Sequence, residues 1–265
     1  MRTVRARIAY DGRAYYGWQR QDGFESVQES IEEALWDLLG QAVTVHGSGR
    51  TDTGVHALGQ VAHFHVESRL DDDRLRHALN ARLGPGAVIE RLETCRADFH
   101  ARFDARGKRY AYLIHTSRFH PPLGKGLFHW TRSPLDLARM RDAARRFVGE
   151  HDFAAFSNAG SVRKTTVRRI HALRLVARHN RVALVVQGNG FLYNMVRTIA
   201  GTLIDVGTGR FEPDCVDRAL ASRERTDAGH TAPAAGLYLV RVLYDEPVFP
   251  GRDCGPAGSP GVFQY

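Results

Sequence analysis

A chain of 265 residues is long enough to bury a full core, as one large domain or two halves of ordinary size. Its 37 Lys and Arg against 29 Asp and Glu give a formal charge of +8 and a pI near 9.7, which favours a polyanionic partner. Cys95, Cys215 and Cys254 lie far apart with no CxxC, which excludes a disulfide framework and a cysteine zinc site. The opening MRTVRARIAYDG has no apolar signal core and no apolar run approaches a membrane span, so the expectation is a cytoplasmic protein without a membrane partner.

In chain order, Val4, Ala6, Ile8 and Tyr10 alternate with Arg5, Arg7 and Ala9, predicting a strand that ends in the turn Asp11-Gly12. Ser26 and Glu29 form a capping box for a helix whose face is Val27, Ile31, Ala34, Leu35, Leu38 and Leu39, and which Gly40 stops. Val43 and Val45 predict a strand before a glycine-rich turn. The alternating residues 58–66 predict another after it. A short helix carries Leu75, Ala78, Leu79 and Leu83 and ends at Gly84-Pro85-Gly86; strands come next at 87–92 and 107–115. Pro121-Pro122 and Ser133-Pro134 mark the passage to a second half, where Ser133 caps a helix bearing Leu137, Met140, Ala144, Phe147 and Val148. Strands at 168–177 and 181–187, a helix over 191–206 and a strand over 237–244 complete the pattern. This order of strands and helices predicts an α+β fold with largely antiparallel sheets. It divides into an N-terminal half over residues 1–120, a C-terminal half over 121–248, and a flexible tail over 249–265 where Gly, Pro and Ser dominate.

The glycine-rich turn, GSGRTDTGVHA at 47–57, places the carboxylate of Asp52 two residues from Arg50. Gly47, Gly49 and Gly54 permit close approach of a bulky polymer, which suits chemistry, while an Asp that only caps its own turn is the plain alternative. Asp52-Thr53-Gly54 also spells the triplet of aspartic proteases. A shared proton needs a second such triplet, and Asp227-Ala228-Gly229 lacks the Thr; Arg50 moreover favours an ionised Asp52. Further along, Lys108-Arg109-Tyr110-Ala111-Tyr112 sets two aromatics beside two cations on a strand, suited to a stacked base with its phosphates on Lys108 and Arg109. Tyr112 reads better as a core ring. Arg197 stands within an apolar helical run and requires a partner if buried. From Arg163 to Arg181 seven basic residues, among them Arg163, Lys164, Arg168 and Arg169, occur without one acid, which points to nucleic-acid contact.

Together these segments resemble the tRNA pseudouridine synthase A family, over about residues 10–240. The resemblance is carried by Tyr10-Asp11-Gly12 with Tyr16-Gly17-Trp18-Gln19, the GRTD-GVHA frame, Asp98-Phe99-His100-Ala101-Arg102-Phe103, Arg109-Tyr110-x-Tyr112, residues 191–197, and Gly236-Leu237-Tyr238-Leu239-Val240. It implies that Asp52 is the nucleophilic aspartate, Tyr110 the ring under the target uracil, Arg197 the ion-pair partner of Asp52, and Arg50 the loop residue nearest the displaced nucleotide. It further implies isomerisation of uridines 38 to 40 of the tRNA anticodon stem-loop, no cofactor or metal, and a homodimer with each tRNA spanning both subunits. The implied fold is two mixed α/β halves forming a continuous antiparallel sheet, with the active cleft between them. Thr53 departs from the Ala usual in the frame and adds a hydroxyl beside Asp52. Two other classes compete. A non-catalytic RNA-binding module explains the charge but leaves Asp52 without a role, and a metal-dependent hydrolase built on His56, His63 and His65 lacks a visible third ligand at defined range.

Overall fold

Strand β1 (Arg2–Tyr10) realises the opening alternation: Val4, Ala6 and Ile8 are fully buried, while Arg5 and Arg7 reach across to Glu93 and Glu90. The structure is a computed structural model that describes residues 1–158, 165–246 and 248–249. After β1 come α1 (Val27–Leu39), β2 (His46–Gly47), β3 (His56–Val66), α2 (Asp72–Asn80), β4 (Ala87–Thr94), β5 (Gly107–Thr116) and β6 (His129–Thr131). The chain continues through α3 (Leu137–Arg146), β7 (Gly149–Asp152), β8 (Val167–Arg178), β9 (Arg181–Gly188), α4 (Met195–Gly207), α5 (Cys215–Ser222) and β10 (Leu237–Leu243). The expected α+β class holds. The chain clusters into two units, Met1–Arg106 joined by the chain from Leu239 onward, and Gly107–Tyr238. That division falls at 106/107 and not at 120/121, because β5 pairs with β9 and so joins the second unit.

In the first unit the strand order is β4, β1, β3, β10, with β2 added on β3. β1 and β3 run antiparallel from Arg2 opposite Val66 to Tyr10 opposite Ala57, a register that delivers the start of β3 beside the end of β1. The alternation in β3 predicts one wet face, yet Val61 and His63 are as buried as Ala62 and Phe64. The second face is covered too, because Phe99, His100 and Ala101 pack over it, the Ala101 N–H donating to His63 Nδ1 at 3.2 Å. Ser26 caps α1 as expected, its Oγ accepting from the Glu29 N–H at 3.2 Å, and Gly40 closes the helix in the left-handed region. The strand expected around Val43 and Val45 shrinks to the two residues of β2.

In the second unit the order is β5, β9, β8, β7, antiparallel throughout, with β6 parallel to β5. α3 packs on α4, α5 and β8. Phe147, Phe153 and Phe156 meet edge to face in this core, with centroids 5.0 and 6.1 Å apart. α3 starts three residues later than expected, because Asp136, not Ser133, supplies the cap, accepting from the N–H groups of Ala138 and Arg139. α4 likewise begins at Met195 and not at Phe191, since Asn194 takes a left-handed conformation (φ 59°) that a helix interior does not tolerate. Of the basic run, Arg163 and Lys164 lie outside the described residues; of the tail expected over 249–265, only Phe249 lies within them.

Replacing Ser26 by Ala removes a buried cap while leaving the core volume nearly unchanged. The expected cost is about 1 kcal/mol of stability, read as a lower urea midpoint with an unchanged slope.

Candidate active site

The loop that carries Asp52 is held by buried polar groups on both of its sides. On one side the Tyr10 hydroxyl, at the end of β1, lies 2.7 Å from Thr51 Oγ1, and burial raises the Tyr10 pKa well above its ordinary value. The Thr51 carbonyl accepts from the Trp18 N–H at 3.1 Å. On the other side Gln60, fully buried in β3, donates to the Gly49 carbonyl at 2.9 Å and accepts from Ser48 Oγ at 2.7 Å. The turn itself closes through Val55 N–H to the Asp52 carbonyl at 3.1 Å. Asp52 is half-buried, and Thr53 at the next position is exposed. The loop's glycines do not all make room for a ligand: a Cβ at Gly47 would come within 2.5 Å of the Trp18 ring, so that position makes room for protein.

Arg50, exposed, donates from Nε to Gln19 Oε1 at 3.1 Å. Gln19 Nε2 in turn donates to Gln28 Oε1, and Gln28 Nε2 to Glu32 Oε1 at 2.9 Å, tying the loop to α1 through a chain of side-chain amides.

The remaining candidates sit in the second unit. Arg197 is the single residue of α4 that is not buried. Its Nη1 donates to Asn194 Oδ1 at 2.9 Å and its Nε to the Ala232 carbonyl at 2.7 Å, and the Ala232 N–H returns a bond to the Arg197 carbonyl at 3.1 Å. The segment that presents Ala232 is organised by Arg225, which sequence reasoning missed. One guanidinium there donates to Asn158 Oδ1, to the carbonyls of Ala228 and Gly229, and to Thr231 Oγ1. No local signal marks it, because its partners include backbone groups and a residue 67 positions away.

Tyr110, on β5, is 8% exposed and meets Phe191 edge to face at 5.2 Å. Tyr112 is the core ring expected, with no exposed surface and its hydroxyl donating to the Pro233 carbonyl at 2.9 Å. Arg109 directs Nε and Nη2 onto Gln187 Oε1. Lys108 is half-buried on the same strand. Arg168 donates to the carbonyls of Thr165 and Val167, and exposed Arg169 pairs with Glu150 of β7 at 3.4 Å. The run without acids in sequence therefore acquires one in space.

The three histidines of the hydrolase reading do not converge. His56 Nδ1 accepts from the Gly12 N–H at 3.1 Å with Asp11 Oδ1 3.3 Å away, His63 Nδ1 accepts from the Ala101 N–H, and His65 Nδ1 meets Thr3 Oγ1. Among the described residues no three His, Cys, Asp or Glu side chains are grouped to hold a metal ion.

The model of the tRNA pseudouridine synthase family matches residues 6–104 and 143–245. The chain belongs to this family. A tRNA pseudouridine synthase A of Acetivibrio thermocellus is 46% identical over 244 residues, covering 92% of this chain and all of the relative. A tRNA pseudouridine synthase A of Ruminiclostridium cellulolyticum is also 46% identical, with the same coverage. One from Bacillus licheniformis is 40% identical, over 91% of this chain and 99% of its own length. Among solved structures, a chain of a Cbf5-Nop10-Gar1 complex aligns over 91% of this chain and 60% of its own at 12% identity, with a TM-score of 0.35, too loose to carry detail. Like its family, this synthase is an isomerase of tRNA uridines.

The histidines of β3 bear on its stability. Burial first, then the neighbouring His100 and His46, hold His63 down at about 4 against an ordinary 6.5. Between those values the unfolded chain binds the proton and the folded chain does not, so stability is full above pH 6.5 and falls as pH drops toward 4. Urea midpoints measured across that interval are expected to fall with pH, less steeply in His63→Gln.

Proposed function

We propose that this synthase isomerises uridines 38 to 40 of the tRNA anticodon stem-loop with Asp52 as nucleophile, acting as a homodimer in the cytoplasm. The single observation that carries the reading is the anchoring of the Asp52 loop, by Tyr10, Trp18 and Gln60, in a chain that belongs to this family. A carboxylate that merely capped its turn would need no such support. An RNA-binding module would gain nothing from a half-buried anion near phosphates.

The reaction breaks the N1 to C1′ bond of uridine, joins C5 to C1′, returns a proton to N1 and removes the C5 proton, so no atom is gained or lost overall. A carboxylate suits this course because it can bond to the substrate and leave again. In this reading Arg197 is the cation that keeps the nucleophile ionised, its planar guanidinium already oriented by Asn194 and Ala232. Tyr110 is the ring under the displaced uracil, and its hydroxyl assists loss of the C5 proton. The base leaves its stack at a cost of a few kcal/mol, which ring stacking offsets by about 1–3 kcal/mol. Arg50 lies nearest the displaced nucleotide. Lys108, Arg109, Arg168 and Arg169 take phosphates, as do Arg163 and Lys164 beyond the described residues.

The decisive measurement is single-turnover release of tritium from tRNA labelled at uridine C5. Asp52→Asn is expected to lower it about a thousandfold or more with little loss of tRNA affinity. Tyr110→Phe should retain binding and slow release about a hundredfold, and Arg197→Lys should lose most activity with its charge retained. Wild-type rates in Asp52→Asn would overturn the assignment.

Affinity should fall steeply with added salt as phosphates shed counterions. Replacing Arg168 and Arg169 together by Ala is expected to flatten the log–log slope by about 1.4–1.8. A salt-independent dissociation constant would remove the electrostatic account.

A further inference from the structure

Beside the Asp52 loop lie two of the first unit's exposed aromatic rings, used neither by the core nor by the chemistry at Asp52. Tyr16 and Phe24 are 52% and 48% exposed, with ring centroids 4.7 Å apart and planes tilted by 52°. The rings on either side in sequence, Tyr15 and Trp18, are buried. Trp36 and Phe103 of the same unit are exposed as well; what sets Tyr16 and Phe24 apart is that they contact each other next to the Asp52 loop. Each ring would gain from burial, so two of them held together at the surface mark a place where something else covers them.

The pair is also held in place. The Tyr16 N–H donates to the Glu25 carbonyl at 2.9 Å, Gln21 Nε2 donates to the Tyr16 carbonyl at 3.0 Å, and Gln21 bridges to Phe24. The loop closes on the start of α1, the Val27 N–H donating to the Gly17 carbonyl at 3.2 Å and the Gln28 N–H to the Trp18 carbonyl at 3.0 Å. Gly17 has φ +94°, and a Cβ there would lie 2.6 Å from the Thr51 carbonyl oxygen and 3.3 Å from the Asp52 carbonyl carbon. The backbone of Gly17 thus rests directly on the backbone of Asp52, and Tyr16 is one peptide away from it. Exposed Arg20 and Arg50 flank the same loop.

We propose that Tyr16 and Phe24 form a stacking ledge for an unpaired nucleobase next to the uridine being isomerised. The inference rests on the reading of Asp52 as the reacting carboxylate of an RNA substrate. Drawing one base out of a stack bares the π-face of its neighbour, and a rigid aromatic pair beside the nucleophile replaces the lost partner. Because every base has such a face, the ledge accepts any base and fixes position without reading sequence.

The test is a thermodynamic cycle between protein rings and RNA bases. Anticodon stem-loop oligonucleotides with a single abasic nucleotide at each loop position beside the target uridine are titrated against wild type, Tyr16→Ala, Phe24→Ala and the double variant, at fixed salt. The double variant is expected to bind the intact oligonucleotide about tenfold more weakly. One abasic position should cost wild type about tenfold and the double variant less than about twofold. Tyr16→Phe, which keeps the ring, should preserve the wild-type pattern. Equal abasic penalties in wild type and double variant at every position would overturn the ledge. So would a double variant that binds RNA normally but sediments with altered oligomeric state, since the rings would then face a second copy of the chain. Binding is read without turnover, so a failed cycle with normal tritium release rejects the ledge alone. An intact cycle with normal turnover in Asp52→Asn rejects the nucleophile alone.

Discussion

A buried amide must satisfy all its polar groups inside the protein, and the saturation of Gln60 governs how the Asp52 loop is built. This side chain has no exposed surface, and each of its ends is used: the amide nitrogen on the Gly49 carbonyl, the oxygen on Ser48 Oγ and the Val61 N–H. Leaving any of these groups unmatched costs about 1–3 kcal/mol, so the loop cannot drift from β3 without incurring that penalty. The Tyr10 and Thr51 hydroxyls do the same from β1. Because β1 and β3 are neighbours in register, both anchors come from one rigid pair of strands. A carboxylate on a loop thereby acquires the positional definition of a sheet.

The second unit solves a comparable problem with guanidinium groups. α4 is buried over all of its length except at Arg197, so the helix cannot shift to suit that side chain. The segment up to Ala232 has to come to Arg197, and it is bound on three sides. Arg225 gathers its turn, Thr202 Oγ1 accepts from the Gly229 N–H at 2.9 Å, and Asp205 accepts from the His230 ring at 3.1 Å. Planar forks suit this work, since one Arg satisfies several carbonyls at fixed angles where a lysine would meet them singly.

What can be read from the sequence is local. α1 is legible to the residue because its cap, its apolar face and its stop signal all lie within fifteen positions, and Asp52 stands out because its glycines and Arg50 are adjacent to it. The start of α4 is not legible, because Phe191, Leu192 and Tyr193 continue the apolar pattern while Asn194 takes a left-handed turn, its side chain accepting from Arg197. β3 misleads in the same way: alternation records side-chain chemistry, and His63 is buried although polar because Ala101 satisfies it. The supports of the site depend on pairings across elements: Tyr10 and Thr51 are 41 positions apart, Arg225 and Asn158 67, and Gln60 reaches back 11 and 12 positions to Gly49 and Ser48. A single sequence does not show such pairings.

The ion pair between Arg169 and Glu150 makes the basic face of β8 a place of exchange. Both side chains are more than half exposed and 3.4 Å apart, so water and salt screen the pair, and an arriving phosphate would exchange for a carboxylate that remains tethered a few ångströms away. The acid stays within reach and retakes the cation when the phosphate moves, so the pair competes with the phosphate and lowers its net gain. In the proposed function Arg169 is a reversible clasp, its hold on a phosphate lowered by the acid that competes for it.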